Sequence, residues 1–118
     1  MSDQGKNRRQ FVRIFRNFMV SYTLKGKEGM RHEMSQVNNI SRGGINFSAT
    51  SLFQRGSELV MELKTPFLND KVQLEGVVLE AKEKIPNMIY TIRVEFRNVS
   101  PQAADVLAKI EQYSEQQR

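Results

Sequence analysis

The apolar residues of this chain change their spacing once, near residue 100. Up to Phe96 they recur at every second position, in short runs separated by polar or glycine-containing turns. A period of two is typical of half-buried β-strands. Ser100 and Pro101 then suit an N-cap and the first position of a helix. Beyond them the apolar spacing is helical, at Ala103, Val106, Leu107, Ile110 and Tyr113. This order predicts several strands followed by one C-terminal helix, over about residues 100–116.

About six strand-like runs precede the helix. They cover residues 18–24, 30–37, 45–47, 58–63, 72–79 and 90–96. In the fifth run the apolar parity changes after Leu74, because Val77 follows at an odd spacing, and this change predicts a bulge at Gly76. Short antiparallel strands of this kind commonly close into a small barrel, which hides their edges. The predicted fold class is all-β with a C-terminal helix.

The composition suits one soluble domain. A length of 118 residues is enough for a single modest core. No apolar run approaches the roughly 20 residues of a membrane helix, so we expect no membrane insertion. Residues 1–7 are polar and lack a signal-like apolar stretch, and we expect them to form a flexible arm before a domain over 8–118. The absence of cysteine favours a reducing cytoplasm.

The sequence offers little that could support catalysis or hold a metal ion. His32 is the one histidine and there is no cysteine, so the usual zinc sites are out of reach. No nucleophile-elbow, Walker or dinucleotide-binding motif occurs. We predict that the protein is not an enzyme and uses neither a metal nor a cofactor.

The positive charge is concentrated near the N-terminus. The net charge of the chain is +5, and residues 1–16 alone contribute five Lys or Arg against one Asp. The remainder is therefore nearly neutral. A uniformly basic surface favours nucleic-acid backbones, whereas a local basic arm favours a smaller anionic partner. A solvated tail without any ligand is the alternative.

The basic arm contains three arginines in six residues. Arg8, Arg9 and Arg13 bring planar guanidinium groups, which donate paired hydrogen bonds to phosphate or to the O6/N7 edge of guanine and also stack on bases. Such spacing also arises by chance in a basic stretch. The arm therefore indicates an anionic, guanine-bearing ligand only in combination with a second motif.

That second motif is the turn Asn39-Ile40-Ser41-Arg42-Gly43-Gly44, which separates two strand-like runs. The side chains of Asn39 and Ser41 both accept and donate hydrogen bonds. Gly43 and Gly44 allow either positive φ or the close approach of a ligand. Taken alone, the motif is more typical of an Asx-type turn that leads into the next strand and binds nothing.

Together the two motifs resemble the PilZ domain family. The resemblance extends from Arg8 to about Tyr113 and includes the RRxxxR arm, the (Asp/Asn)-x-Ser-x-Gly-Gly turn, the run from Val94 to Ser100 and the final helix. It implies a six-stranded antiparallel β-barrel of the split-barrel type, with cyclic di-GMP as the ligand. Arg9 and Arg13 would hold guanine and phosphate groups, and the turn would form the second wall of the site. The implied binding residues are Arg8, Arg9, Arg13, Asn39, Ser41, Gly43 and Gly44.

Three features depart from the family pattern. Position 39 is Asn where Asp is more frequent, which keeps an acceptor and removes a negative charge. Arg93 stands where glycine is frequent, and we interpret it as an exposed strand residue in preference to a ligand contact. Leu79 and Ala81 fall where some relatives have an aromatic residue, so a stacking contact is expected to be missing.

The resulting prediction is a non-enzymatic receptor whose arm folds over the barrel when cyclic di-GMP binds. We expect an intercalated ligand dimer, with Arg8 stacking on a further guanine. The output would pass to an unidentified effector protein in motility, exopolysaccharide or biofilm control, without DNA or RNA, from a monomer or weak dimer. The alternatives are a PilZ-like adaptor that binds no ligand, and a small barrel that binds single-stranded nucleic acid.

Overall fold

The computed structural model of the chain describes residues 18–27, 33–66 and 71–116. Within them, six strands form a closed antiparallel barrel and one helix follows. The elements are β1 Met19–Leu24, β2 Glu33–Ile40, β3 Gly44–Ala49, β4 Glu58–Lys64, β5 Val72–Ile85, β6 Ile89–Arg97 and α1 Pro101–Gln116. The predicted fold class, a six-stranded antiparallel barrel with a C-terminal helix, is confirmed.

The strand order around the barrel is β1-β2-β3-β6-β5-β4. β3 thus pairs with β6, its neighbour in space but not in sequence, and β1 pairs with β4 to close the barrel. Every second side chain of a strand points into the barrel, and the apolar residues that recur with a period of two therefore form the core. Phe18, Val20, Phe47, Leu59, Leu63 and Ile92 are completely buried there.

The second strand ends later than its apolar pattern predicted. β2 continues to Ile40, so Asn39 lies within the strand and not in the turn. Val37 and Ile40 are both buried although they are three residues apart. A register shift between Val37 and Asn39 against β3 explains this spacing, since the extra residue Asn38 restores the inward direction of Ile40.

The predicted bulge at Gly76 is wrong. β5 pairs with β4 in unbroken register through Gly76, which faces the core between Leu74 and Val78. The shift lies between Val78 and Glu80, against β6. Gly76 is required for another reason, because a Cβ at this position would overlap the side chain of Val94. The parity was misleading because apolar residues also occupy the outer face of this strand.

The helix is capped and packed as predicted. The Ser100 hydroxyl accepts a hydrogen bond from the Ala103 N–H at 3.1 Å, as an N-cap does. Ala103, Leu107 and Ile110 are buried in the core, and the helix contacts β5. Within the described ranges, no helix combines the length and the apolar character needed to cross a bilayer.

Candidate ligand-binding site

An open cleft of about 270 Å³ lies where the β2–β3 turn meets β6. We name it the turn cleft. One wall comes from the end of β2, the turn and the start of β3, and the other comes from β5 and β6. The first wall includes Asn39, Ser41, Gly43, Gly44 and Asn46, and the second includes Leu79, Arg93 and Glu95. The four predicted residues of the second motif therefore lie together in one cleft.

Backbone hydrogen bonds hold the turn on both sides. The Ser41 N–H donates to the Gly44 carbonyl at 2.9 Å, and the Phe96 N–H donates to the Gly43 carbonyl at 2.9 Å. The Gly43 N–H also donates to Ser41 Oγ at 3.3 Å. Ser41 Oγ acts as an acceptor inside the turn, which leaves its hydroxyl proton to donate toward the cleft.

The two glycines of the motif serve different purposes. Positive φ occurs at Gly26 and Gly56 among the described glycines, and not at Gly43 or Gly44. A Cβ on Gly44 would overlap the carbonyl oxygen of Val94, so this glycine lets β3 pack against β6. A Cβ on Gly43 would meet no atom within 4 Å, so its surface is open to a ligand. Close packing against β6 therefore explains Gly44, and backbone conformation explains neither residue.

A polar network supports the first wall. Asn39 pairs with Asn46 across the β2–β3 ladder. The bulge residue Asn38 donates from Nδ2 to Asn46 Oδ1 at 3.3 Å and to Ser48 Oγ at 3.2 Å. These bonds orient the Asn46 amide so that its Nδ2 remains as the donor for the cleft. The sequence prediction missed Asn38 and Asn46, although Asn46 alternates with buried Ile45 and Phe47 and is therefore outward-facing.

The second wall combines one arginine with an aliphatic side chain. Arg93 is exposed, as predicted, with 58% of its side chain accessible, and its Nε lies 3.9 Å from Glu80 Oε1. That separation is too long to hold the guanidinium in one place. Glu95 is neutralised by Arg97 at 2.7 Å. Leu79 supplies an apolar surface to this wall.

Arg42 lies in the turn, but its side chain is held from outside the cleft. Its Nε is 2.8 Å from Glu111 Oε1 on α1, and its backbone N–H donates to Glu111 Oε2 at 3.3 Å. The sequence prediction did not find Glu111, because 69 residues separate the partners. Only the packing of the helix brings the carboxylate to the turn.

The remaining predicted residues lie outside the described part of the chain. This applies to Arg8, Arg9 and Arg13, to the arm residues 1–7, and to His32. Among the residues that are described, no group of His, Cys, Asp or Glu side chains is arranged to hold a metal ion. The turn cleft offers amides, a hydroxyl, backbone and one guanidinium, which suit binding of a polar anion, and its one carboxylate, Glu95, is paired with Arg97.

The fold and the cleft together define a small β-barrel domain with an open polar site at one turn. The sequence pattern of the PilZ domain matches residues 7–116, and the chain therefore belongs to the PilZ domain family. A comparison with curated protein sequences gave no match.

Solved structures of PilZ proteins share this fold. The inhibitor of motility MotI/DgrA of Bacillus subtilis has a TM-score of 0.64 and 18% identity, over 85% of this chain and 46% of its own. The PilZ domain of Escherichia coli YcgR with c-di-GMP has a TM-score of 0.63 and 15% identity, over 84% and 82%. PlzA of Borreliella burgdorferi, in complex with c-di-GMP, has a TM-score of 0.51 and 16% identity, over 100% and 51%. The chain spans about half the length of MotI and PlzA.

Proposed function

We propose that this protein is a receptor for cyclic di-GMP. The observation that carries the proposal is the meeting of Asn39, Ser41, Gly43 and Gly44 in one open cleft of a chain that belongs to the PilZ family. The c-di-GMP complexes of YcgR and PlzA, which share the fold, support the same ligand. The Asn39 and Asn46 amides suit guanine edges, and Gly43 leaves room for a phosphate to approach the backbone.

The turn cleft alone carries little positive charge for a ligand with two phosphates. Arg93 faces Glu80, and Glu95 is paired with Arg97. Further positively charged groups are needed, and the sequence of the basic arm contains them. We propose that Arg9 and Arg13 bind guanine and phosphate groups and that Arg8 stacks on a further guanine.

The attachment of the arm supports this arrangement. The Val37 N–H donates to the Phe18 carbonyl at 2.9 Å, so the arm joins the barrel beside Val37. Asn39 lies only about 7 Å farther along β2. Arg13 is five residues before Phe18 and reaches at most about 17 Å from it. The arm is thus long enough to cover the turn cleft.

Ligand binding would order the arm. Fixing backbone costs about 1–2 kcal/mol per residue, and charge-assisted hydrogen bonds at about 1.5–3 kcal/mol each offset that cost. Several guanidinium contacts are therefore needed. Because Arg8 adds a third guanidinium that can stack on another guanine, we propose an intercalated pair of ligand molecules over a single one. We propose that the ordered arm forms a surface for an effector protein in the cytoplasm, in control of motility, exopolysaccharide or biofilm.

Calorimetric titration with cyclic di-GMP tests the proposal. Arg9→Ala and Arg13→Ala should each weaken binding by roughly 10- to 150-fold, as the loss of a charge-assisted hydrogen bond predicts. Arg16→Ala removes the same charge from the arm outside the motif and should change affinity by less than about threefold. The fitted stoichiometry should be two ligands per chain.

Three results would contradict this assignment. Full affinity of a folded Arg9→Ala or Arg13→Ala variant would remove the arm from the site. No binding by the folded wild-type protein would favour the adaptor that binds no ligand, and a salt-dependent shift with mixed oligonucleotides would favour the nucleic-acid binder.

A further inference from the structure

Glu111 commits both of its carboxylate oxygens to one residue of the turn. Oε1 lies 2.8 Å from Arg42 Nε, and Oε2 accepts the Arg42 N–H at 3.3 Å. Ser41 and Gly43, on either side of Arg42, line the turn cleft, whereas Arg42 itself does not. The guanidinium of the turn residue Arg42 is therefore held by a carboxylate of the same chain.

The helix places this carboxylate firmly. Ile110, the residue before Glu111, is completely buried in the core. Three residues after Ile110, the Tyr113 ring stacks on Phe18 with centroids 6.4 Å apart. Phe18 is the residue at which the basic arm joins the barrel. The last turns of α1 thus contact both the β2–β3 turn, through Arg42, and the residue that follows the basic arm, Phe18.

Besides the Arg42 N–H bond to Glu111, the turn has hydrogen bonds of its own. Its hydrogen bonds from Ser41 to Gly44, from Gly43 to Ser41 and from Phe96 to Gly43 lie entirely within the barrel. Removal of the carboxylate charge should leave these bonds in place and release the Arg42 guanidinium. A purely structural role for Glu111 would predict the opposite effect, namely a disturbed turn and weaker binding.

We propose that Glu111 competes with the phosphates of the ligand for Arg42. This competition sets both the affinity of the site for the ligand and the strength of the contact between α1 and the turn. This inference rests on the proposed function. An anionic ligand draws Arg42 toward the cleft, and the contact with α1 is lost. Because coupling between two contacts is reciprocal, whatever weakens the Glu111 contact strengthens ligand binding.

Glu111→Gln tests the competition by titration with cyclic di-GMP. Gln keeps the size and an acceptor for the Arg42 N–H but removes the charge. We expect about two- to fivefold tighter binding, the range expected when an exposed charged contact no longer competes. The matched control is Asp105→Asn, which removes one charge from the same helix and breaks the pair with Lys109 at 3.3 Å. It should change affinity by less than about twofold.

Two further measurements complete the test. In an Arg42→Ala background, Glu111→Gln should have no effect on affinity. By hydrogen exchange, cyclic di-GMP should speed exchange of the amides in residues 110–116 of the wild type, and this change should be absent in Glu111→Gln.

The outcomes separate the two proposals. Unchanged or weaker binding by Glu111→Gln, with a wild type that binds, overturns the role of Glu111 and leaves the receptor function standing. A folded wild type that does not bind the dinucleotide overturns both.

Discussion

The strands β2, β3 and β6 end in two unlike surfaces. At one end they form the turn cleft, with amides, a hydroxyl and exposed glycine backbone. At the other end they form an apolar groove of about 230 Å³, whose lining includes Tyr22, Met34, Ala49 and Ile89. The same three strands thus serve both surfaces. The difference shows that alternation builds the barrel, while the outward and terminal residues decide what each end can bind.

The apolar groove borders the core through an aromatic cluster, whereas the turn cleft borders it through the aliphatic side chains of Ile40, Ile45 and Val94. Tyr22 in the groove packs on Phe47 with ring centroids 4.6 Å apart and lies edge-on to Phe53 at 5.9 Å. Ser41 and Gly43 in the cleft contact mainly backbone. We therefore expect substitutions of the buried aromatic residues at the groove to affect stability, and substitutions of Ser41 and Gly43 in the cleft to affect binding.

The largest effect should come from Phe47→Ala at the core side of the groove. Phe47 is fully buried, and its removal leaves a cavity beside Tyr22. The free energy of unfolding should fall by about 3–5 kcal/mol, measured by urea denaturation. A loss below about 1.5 kcal/mol would show that the two ends are not energetically distinct.

The adjacent glycines of the cleft should respond differently to alanine. Gly44→Ala places a Cβ against the Val94 carbonyl and should reduce stability by about 1–3 kcal/mol. Gly43→Ala meets open space and should change stability by less than about 0.5 kcal/mol while weakening cyclic di-GMP binding. Urea denaturation and calorimetry of both variants check this. Equal stability of the two variants would contradict the packing role of Gly44.

The groove should also respond to high pH. Burial, with a smaller contribution from Glu33, raises the pKa of Tyr22 from 10.0 to about 12. The unfolded state therefore loses this proton first, and the contribution of neutral Tyr22 is complete below pH 10 and falls as pH rises toward 12. The free energy of unfolding should decline more steeply over this range in the wild type than in Tyr22→Phe. Parallel pH profiles would contradict the shift.

The smallest effect should come from two exposed methionines, one that lines the groove and one in the β5–β6 turn. Met34 and Met88 are 66% and 61% exposed. Met34→Ser and Met88→Ser should change the free energy of unfolding by less than about 0.5 kcal/mol. Both should keep cyclic di-GMP affinity within about twofold, since they lie away from the cleft. A larger change in affinity would show that the two ends of the strands are coupled.

Local signals predicted much of the fold. The alternation of Val20 and Tyr22 marked β1, and Ser100 with Pro101 marked the start of the helix, because period and capping depend on neighbours in sequence. The error at Gly76 has a non-local cause. Its side chain is absent because of Val94 on β6, and no feature of the β5 sequence reveals that partner.

The sequence by itself determined the kinds of element, their order and the motif residues Asn39, Ser41, Gly43 and Gly44. The tertiary structure decided which other residues lie beside these motif residues. β3 pairs with β6, which places Arg93 and Glu95 opposite the turn, and α1 packs so that Glu111 reaches Arg42. These contacts join residues far apart in the chain. They depend on how the strands pair and how the helix packs, whereas periodicity records only the direction in which each side chain points.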